Sequence, residues 1–308
     1  MATPSLREDR ARGALLGLAA GDALGAPLVG MGREQARIKH ATVKTFLGGG
    51  LYLLAPGAVT ARIDMARASA VALLSRGEET FDAGRLDGYL RVLDMDRPGL
   101  GEATHAALER IRDGVPATEA ARGAHEAVER KSAGIGPALR AVPYALAFLD
   151  DPDGMAEAIL ADAALTHADP RAGAAALALA AWVREHVLGE NDPIAAFDRV
   201  ARRLGDRPEL PDVLPAQAAV ARLEVRSTAF APDVLHAVAR HTLEARSALE
   251  AMVGAVNEAG AAAALGAAAG AVAGARFGEA GLPEEWTSLL EGAHAWRTLA
   301  ARLLPADA

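Results

Sequence analysis

Residues 259–275 read AGAAAALGAAAGAVAGA and carry no charged side chain. Within them Gly266, Gly270 and Gly274 recur every fourth position, so in a helix they share one face. A glycine costs a helix interior roughly 1 kcal/mol relative to alanine. Three in register therefore imply compensation by a second helix approaching closely, a packing logic best known from membranes. The stretch is almost long enough to cross a bilayer. However, alanine and glycine hardly favour lipid, and no aromatic belt flanks the run. The spacing predicts a buried helix in a helical core, with no membrane partner.

The rest of the chain follows the same period. Apolar stripes predict helices over 10–24, 61–74, 81–93, 104–112, 118–131, 155–164, 169–187, 193–204, 214–223, 231–241 and 245–256. A further helix is expected to begin at Pro143 and end before the acidic turn at 150–154, and a tail helix to begin at Pro283. Residues 43–54 are the most strand-like piece, interrupted by Gly48-Gly49-Gly50. The fold class is all-α. A length of 308 residues would suit two domains. No polar linker or fixed-period repeat divides it, so a single domain over 1–308 is expected.

Composition narrows the partners. With 32 basic and 40 acidic residues the net charge is −8, which supplies no general field for nucleic acid or an anionic surface. Six Phe, three Trp and three Tyr leave little for stacking bases. The absence of cysteine excludes disulfides, thiolate metal sites and a cysteine nucleophile. It also suits a reducing compartment. The polar stretch from Met1 to Arg12 has no signal-peptide core, and a cytoplasmic location is expected. Lysine occurs only at Lys39, Lys44 and Lys131; with the alanine excess, this suggests a GC-rich bacterial genome.

Four segments, in order, resemble one known family. Residues 12–27 read RGALLGLAAGDALGAP, 139–143 LRAVP, 165–172 LTHADPRA and 270–278 GAVAGARFG, followed by Gly281-Leu282-Pro283. Together they resemble the ADP-ribosylglycohydrolases of the dinitrogenase-reductase-activating type over about residues 10–290. The resemblance implies a single compact orthogonal helical bundle. It also implies cleavage of the bond between ADP-ribose and an arginine, serine or other acceptor, using two magnesium ions. In the family, carboxylates of a Thr-Asp-Asp-Thr motif and a Gly-Gly-Asp-x-Asp-Thr motif hold those ions, aided by an early acidic residue.

This chain departs from the family at those positions. The first motif reads Thr60-Ala61-Arg62-Ile63. The second reads Ala259-Gly260-Ala261-Ala262-Ala263-Ala264, and the early acidic position is Val29. Alanine at Ala61, Ala261 and Ala263 and a guanidinium at Arg62 replace four aspartates, turning −4 into +1; the second motif's threonine is also lost, as Ala264. A guanidinium ~4 Å from a divalent ion is repelled by roughly 8 kcal/mol at an effective dielectric of 20, and it cannot deprotonate to escape. No magnesium or manganese, and no other cofactor, is expected.

The candidate ligand-binding residues are Asp22, Thr60, Arg62, Arg140 and His167. Each has a structural alternative. Asp22 is expected to accept backbone donors, Arg140 to meet a core acid, and Arg62 to pair with Asp64. His167 stands equally as a ribose or phosphate contact and as a core histidine. Asp169 is expected to cap a helix. Asp64 and Glu258 are the carboxylates available as general acid or base. Three functions follow. One is a silent family member that binds ADP-ribose, a nucleotide or a modified protein. The second is a metal-free glycosidic or nucleoside hydrolase, and the third a structural or oligomeric protein. The assembly state is open.

Overall fold

A computed structural model describes residues 5–79 and 81–305 of the chain. The first four residues of the polar N-terminal stretch lie outside the described residues. In chain order the helices are α1 (Leu6–Gly25), α2 (Arg33–His40), α3 (Ala61–Ala72), α4 (Phe81–Asp94) and α5 (Glu102–Arg112). Next come α6 (Ala117–Ala127), α7 (Gly136–Ala147), α8 (Pro152–Ala164), α9 (Pro170–Val187) and α10 (Pro193–Gly205). The last five are α11 (Ala231–Thr242), α12 (Ala248–Val256), α13 (Ala262–Phe277), α14 (Glu284–Leu289) and α15 (Ala293–Leu303). Among the described residues only isolated β-bridges occur.

The partner of the glycine face on α13 is α1. Gly13, Gly17, Gly21 and Gly25 of α1 meet the backbone of Gly274, Gly270, Gly266 and Ala262 in turn. A Cβ on any of these glycines would overlap a carbonyl of the facing helix. The backbones therefore touch along the whole length, and the roughly 1 kcal/mol cost of each glycine is offset by contact that no side chain would permit. The fourfold spacing on α1 was readable in the sequence, hidden there beneath the more conspicuous leucines. Around this pair α7, α9, α11, α12 and α15 pack into one large apolar cluster. Trp182 of α9 meets Phe197 of α10 edge-on, with ring centroids 5.0 Å apart. No helix among the described residues is long and apolar enough to cross a membrane.

Several expected elements differ. The helix expected from Pro143 begins at Gly136, with Pro137 in its first turn and Pro143 in its interior. Pro143 forfeits one backbone hydrogen bond, but burial of every residue from Pro137 to Ala147 compensates. Residues 214–223 form only a short 3₁₀ turn at Gln217–Ala219, because Pro215 interrupts the run. The helix expected to reach Lys131 stops at Ala127, where Glu129 and Arg130 take left-handed backbone angles. Helix α2 was not expected: it buries only Ala36 and so presents no apolar stripe. Residues 43–54 form no strand, since Gly48, Gly49 and Gly50 all have positive φ and reverse the chain.

Candidate active-site cleft

The start of α3 is fixed by one buried carboxylate. Asp22 on α1 accepts from the Thr60 backbone N–H at 2.7 Å and from the Thr60 hydroxyl at 2.9 Å. The Ala61 N–H donates to the Pro98 carbonyl at 2.9 Å, which lays the entry to α5 against α3. Asp22 is wholly buried. Burial raises its pKa to about 6, against the opposing effects of the Arg62 charge and the Thr60 donors. A second brace joins the entries of α7 and α11: Ile135 N–H donates to Ala229 O at 3.0 Å, and Ala231 N–H to Ala133 O at 2.9 Å.

These braces surround a cleft of about 1000 Å³. Its wall includes the first turns of α3, α5 and α7, the turn at 128–131 and the segment 228–230. None of these three helices has a side-chain cap; the Ala61 N–H of α3 is taken by Pro98 and Pro137 of α7 has none, so the N–H groups available to an anion are chiefly those of α5.

Arg140 and His167 both line the cleft but differ in what they offer it. Arg140 donates to Asp162 Oδ2 at 2.6 Å, to the Asp162 carbonyl at 2.8 Å and to Thr166 Oγ1 at 2.9 Å. It also lies over the Tyr89 ring at 5.1 Å. Its charge is answered inside the wall, by the core acid that was one of its two readings. His167 is 6% exposed, and its Nδ1 lies 2.8 Å from Thr166 Oγ1. Burial, followed by the Arg140 charge, lowers its pKa to about 3, so the ring is neutral at pH 7. Thr166 Oγ1 accepts from Arg140 and either donates to Nδ1 or accepts a second hydrogen bond from it, according to the tautomer. Nε2 has no partner among the described residues.

Arg62 also lines the cleft and makes no hydrogen bond or ion pair with a described residue. The expected pairing with Asp64 does not form. Residues two apart on a helix do not face each other, whereas those three apart do. Asp64 accordingly pairs with Arg67 at 2.6 Å, and with Arg97 at 3.4 Å. Burial raises the Asp64 pKa against both arginines. Glu258 pairs with Arg33 and with His241 Nε2. Neither Asp64 nor Glu258 is part of the cleft wall. Asp169 caps α9 as expected, accepting from the Arg171 N–H at 3.0 Å.

Sequence reasoning missed Thr104. It is 3% exposed, and its hydroxyl has no partner among the described residues. Cβ positions built on Gly101 and Gly136, at the starts of α5 and α7, would lie 3.9 and 3.5 Å from that oxygen. Its place at the third position of an uncapped helix was the available signal. Asp162, which serves Arg140 and Tyr89, gave no sequence signal at all.

The two motif positions that resemble metal sites both lie at the C-terminal end of α1. Thr60 is held there by Asp22, and Ala262 packs on Gly25. Ala61, Ala263 and Ala264 are buried and apolar. Among the described residues no group of three or more His, Asp or Glu is placed to hold a metal ion. The donor set does not fit a pair of magnesium ions, which require oxygen ligands.

An all-α bundle with a cleft at converging helix N-termini is the class defined by this fold and site. The sequence model of the ADP-ribosylglycohydrolase family matches residues 3–308, and the chain belongs to that family. It is 29% identical over 293 residues to the ADP-ribosyl-[dinitrogen reductase] glycohydrolase of Rhodospirillum rubrum, covering 94% of this chain and 93% of the relative. It is 28% identical over 291 residues to the ADP-ribosylarginine hydrolase Tri1 of Pseudomonas putida (strain GB-1), covering 92% of this chain and 75% of that protein. A solved structure described as an ADP-ribosylglycohydrolase-related protein complex superposes with a TM-score of 0.80 at 31% identity, over 96% of this chain and 97% of the other.

Proposed function

We propose that the cleft holds ADP-ribose or a related nucleotide, free or attached to a protein. It does so without a magnesium pair and without metal-dependent hydrolysis of the ADP-ribosyl bond. The observation that carries this reading is the donor set: Ala61, Arg62, Ala261 and Ala263 stand where the family resemblance implies carboxylates. Two acids beside the first motif are engaged, Asp22 by Thr60 and Asp64 by Arg67 and Arg97.

Retention of a ligand is supported independently. The cleft has the volume of a small-molecule site, and three uncapped helix starts face it. The printed names of the relatives concern ADP-ribosyl groups on dinitrogen reductase and on arginine. An open cleft with charged and hydroxyl side chains on its wall weighs against a purely structural role. The engagement of Asp64 and Glu258 outside the cleft wall weighs against a metal-free hydrolase built on them.

Two measurements test the proposal. Calorimetric titration of the full chain with ADP-ribose in EDTA is expected to give saturable one-to-one binding. Incubation with ADP-ribosylarginine and magnesium is expected to release no ADP-ribose. Absence of binding at millimolar ADP-ribose, or magnesium-dependent turnover, would overturn it.

A further inference from the structure

We propose that Arg62 is the ligand-binding cation of the cleft. Its guanidinium takes a phosphate oxygen of the nucleotide, so that binding needs no divalent ion. This inference rests on the ADP-ribose reading above and specifies which residue selects the ligand.

Three observations converge on a phosphate. First, Arg62 is a wall cation without a partner. Arg140, Arg171 and Lys131 on the same wall are held by Asp162, Asp169 and Glu129. An arginine is always charged, and one left unpaired in a concave wall attracts an anion. Asp22 is the acid whose titration Arg62 perturbs, but both Asp22 oxygens are already taken by Thr60. Glu102, at the same wall, is exposed.

Second, the same cleft wall carries neutral polar groups without partners. The Thr104 hydroxyl and His167 Nε2 belong to side chains more than nine-tenths buried. Both line the cleft and both lack a partner among the described residues. Third, α5 begins there without a side-chain cap, adding backbone N–H groups of the kind phosphates use. A diphosphate, with two negative charges, offers acceptor oxygens to these groups and to Arg62.

The side chain of Arg62 has no structural partner to lose, so its replacement is expected to leave the fold intact. The experiment is titration of ADP-ribose into the full chain and into Arg62→Ala, Arg62→Lys and Arg62→Asp, in EDTA and in magnesium. Circular dichroism and thermal unfolding check the fold of each variant. Loss of a charged hydrogen bond should weaken Arg62→Ala by about tenfold to a hundredfold. Lysine should recover part of the affinity, and aspartate should weaken it most. Wild-type affinity should be the same in EDTA and magnesium. Inorganic pyrophosphate should displace ADP-ribose better from the wild type than from Arg62→Ala.

Unchanged affinity in Arg62→Ala would overturn this inference and leave the proposed function standing. Equal pyrophosphate competition in both proteins would also overturn it, since the contact would then not be to phosphate. No binding by the wild type would overturn both.

Discussion

Asp22 receives two hydrogen bonds from Thr60 while wholly buried, and burial raises its pKa to about 6. A folded pKa above the unfolded one means that the native state holds the proton more tightly. Stability from this group is therefore complete below pH 3.8 and is lost as pH rises towards 6. At about 1.4 kcal/mol per unit, the loss is of the order of 3 kcal/mol. Urea unfolding across pH 4 to 6.5 is expected to show wild type losing stability relative to Asp22→Asn, which cannot titrate. A second prediction concerns Asp162, which pairs with Arg140 at 2.6 Å and with Arg85 at 3.6 Å. Asp162→Ala leaves the buried Arg140 guanidinium without a counter-charge and Arg85 with only the exposed Asp82, and should cost about 3–5 kcal/mol in the same assay. Thr166→Val should remove the partner of His167 Nδ1, read as a ¹⁵N shift change at Nδ1 and Nε2. At this scale the sequence revealed which residues were polar in an apolar setting. It did not reveal their partners: Arg62 and Asp64 are neighbours in the chain yet face different ways, and Asp162 meets Arg140 only because α7 and α8 pack together.

Helices α1 and α13 show what a repeat of small residues achieves when the facing element matches it. Gly17→Ala or Gly270→Ala places a methyl group against a carbonyl of the opposite helix, and neither backbone can yield locally. Each is expected to destabilise by about 3 kcal/mol or more. Gly84, exposed on α4 with nothing within 4 Å of a built Cβ, provides the contrast. Gly84→Ala should gain up to about 1 kcal/mol. Chemical denaturation of the three variants decides between steric packing and simple helix propensity. The elements legible in the sequence were the ones with a broad buried stripe, such as α9, where sixteen consecutive residues are buried. Helix α2, with one buried residue, and the 3₁₀ turn at Gln217–Ala219, with none, were misread because periodicity reports burial rather than backbone conformation.

For the whole molecule, the absence of carboxylates at the motif positions has a thermodynamic consequence. A ligand that binds only the native state at a thousand times its Kd adds about 4 kcal/mol of stability. Magnesium or manganese at millimolar concentration is therefore expected to leave the unfolding temperature unchanged, while ADP-ribose raises it equally with and without EDTA. A metal-dependent rise would contradict the donor set. The sequence alone determined the helical class and the glycine-faced core helix, because periodicity and spacing are local properties of a chain, and it places Ala61, Arg62, Ala261 and Ala263 at the four positions on which the proposed function rests. The cleft was decided only by tertiary structure. Its polar groups come from the starts of α3, α5 and α7 together with His167, and they converge because Asp22 holds Thr60 and the entries of α7 and α11 hold each other. Which of those charges and hydroxyls is left without a partner depends on packing between distant segments, and spacing along one chain carries no record of it.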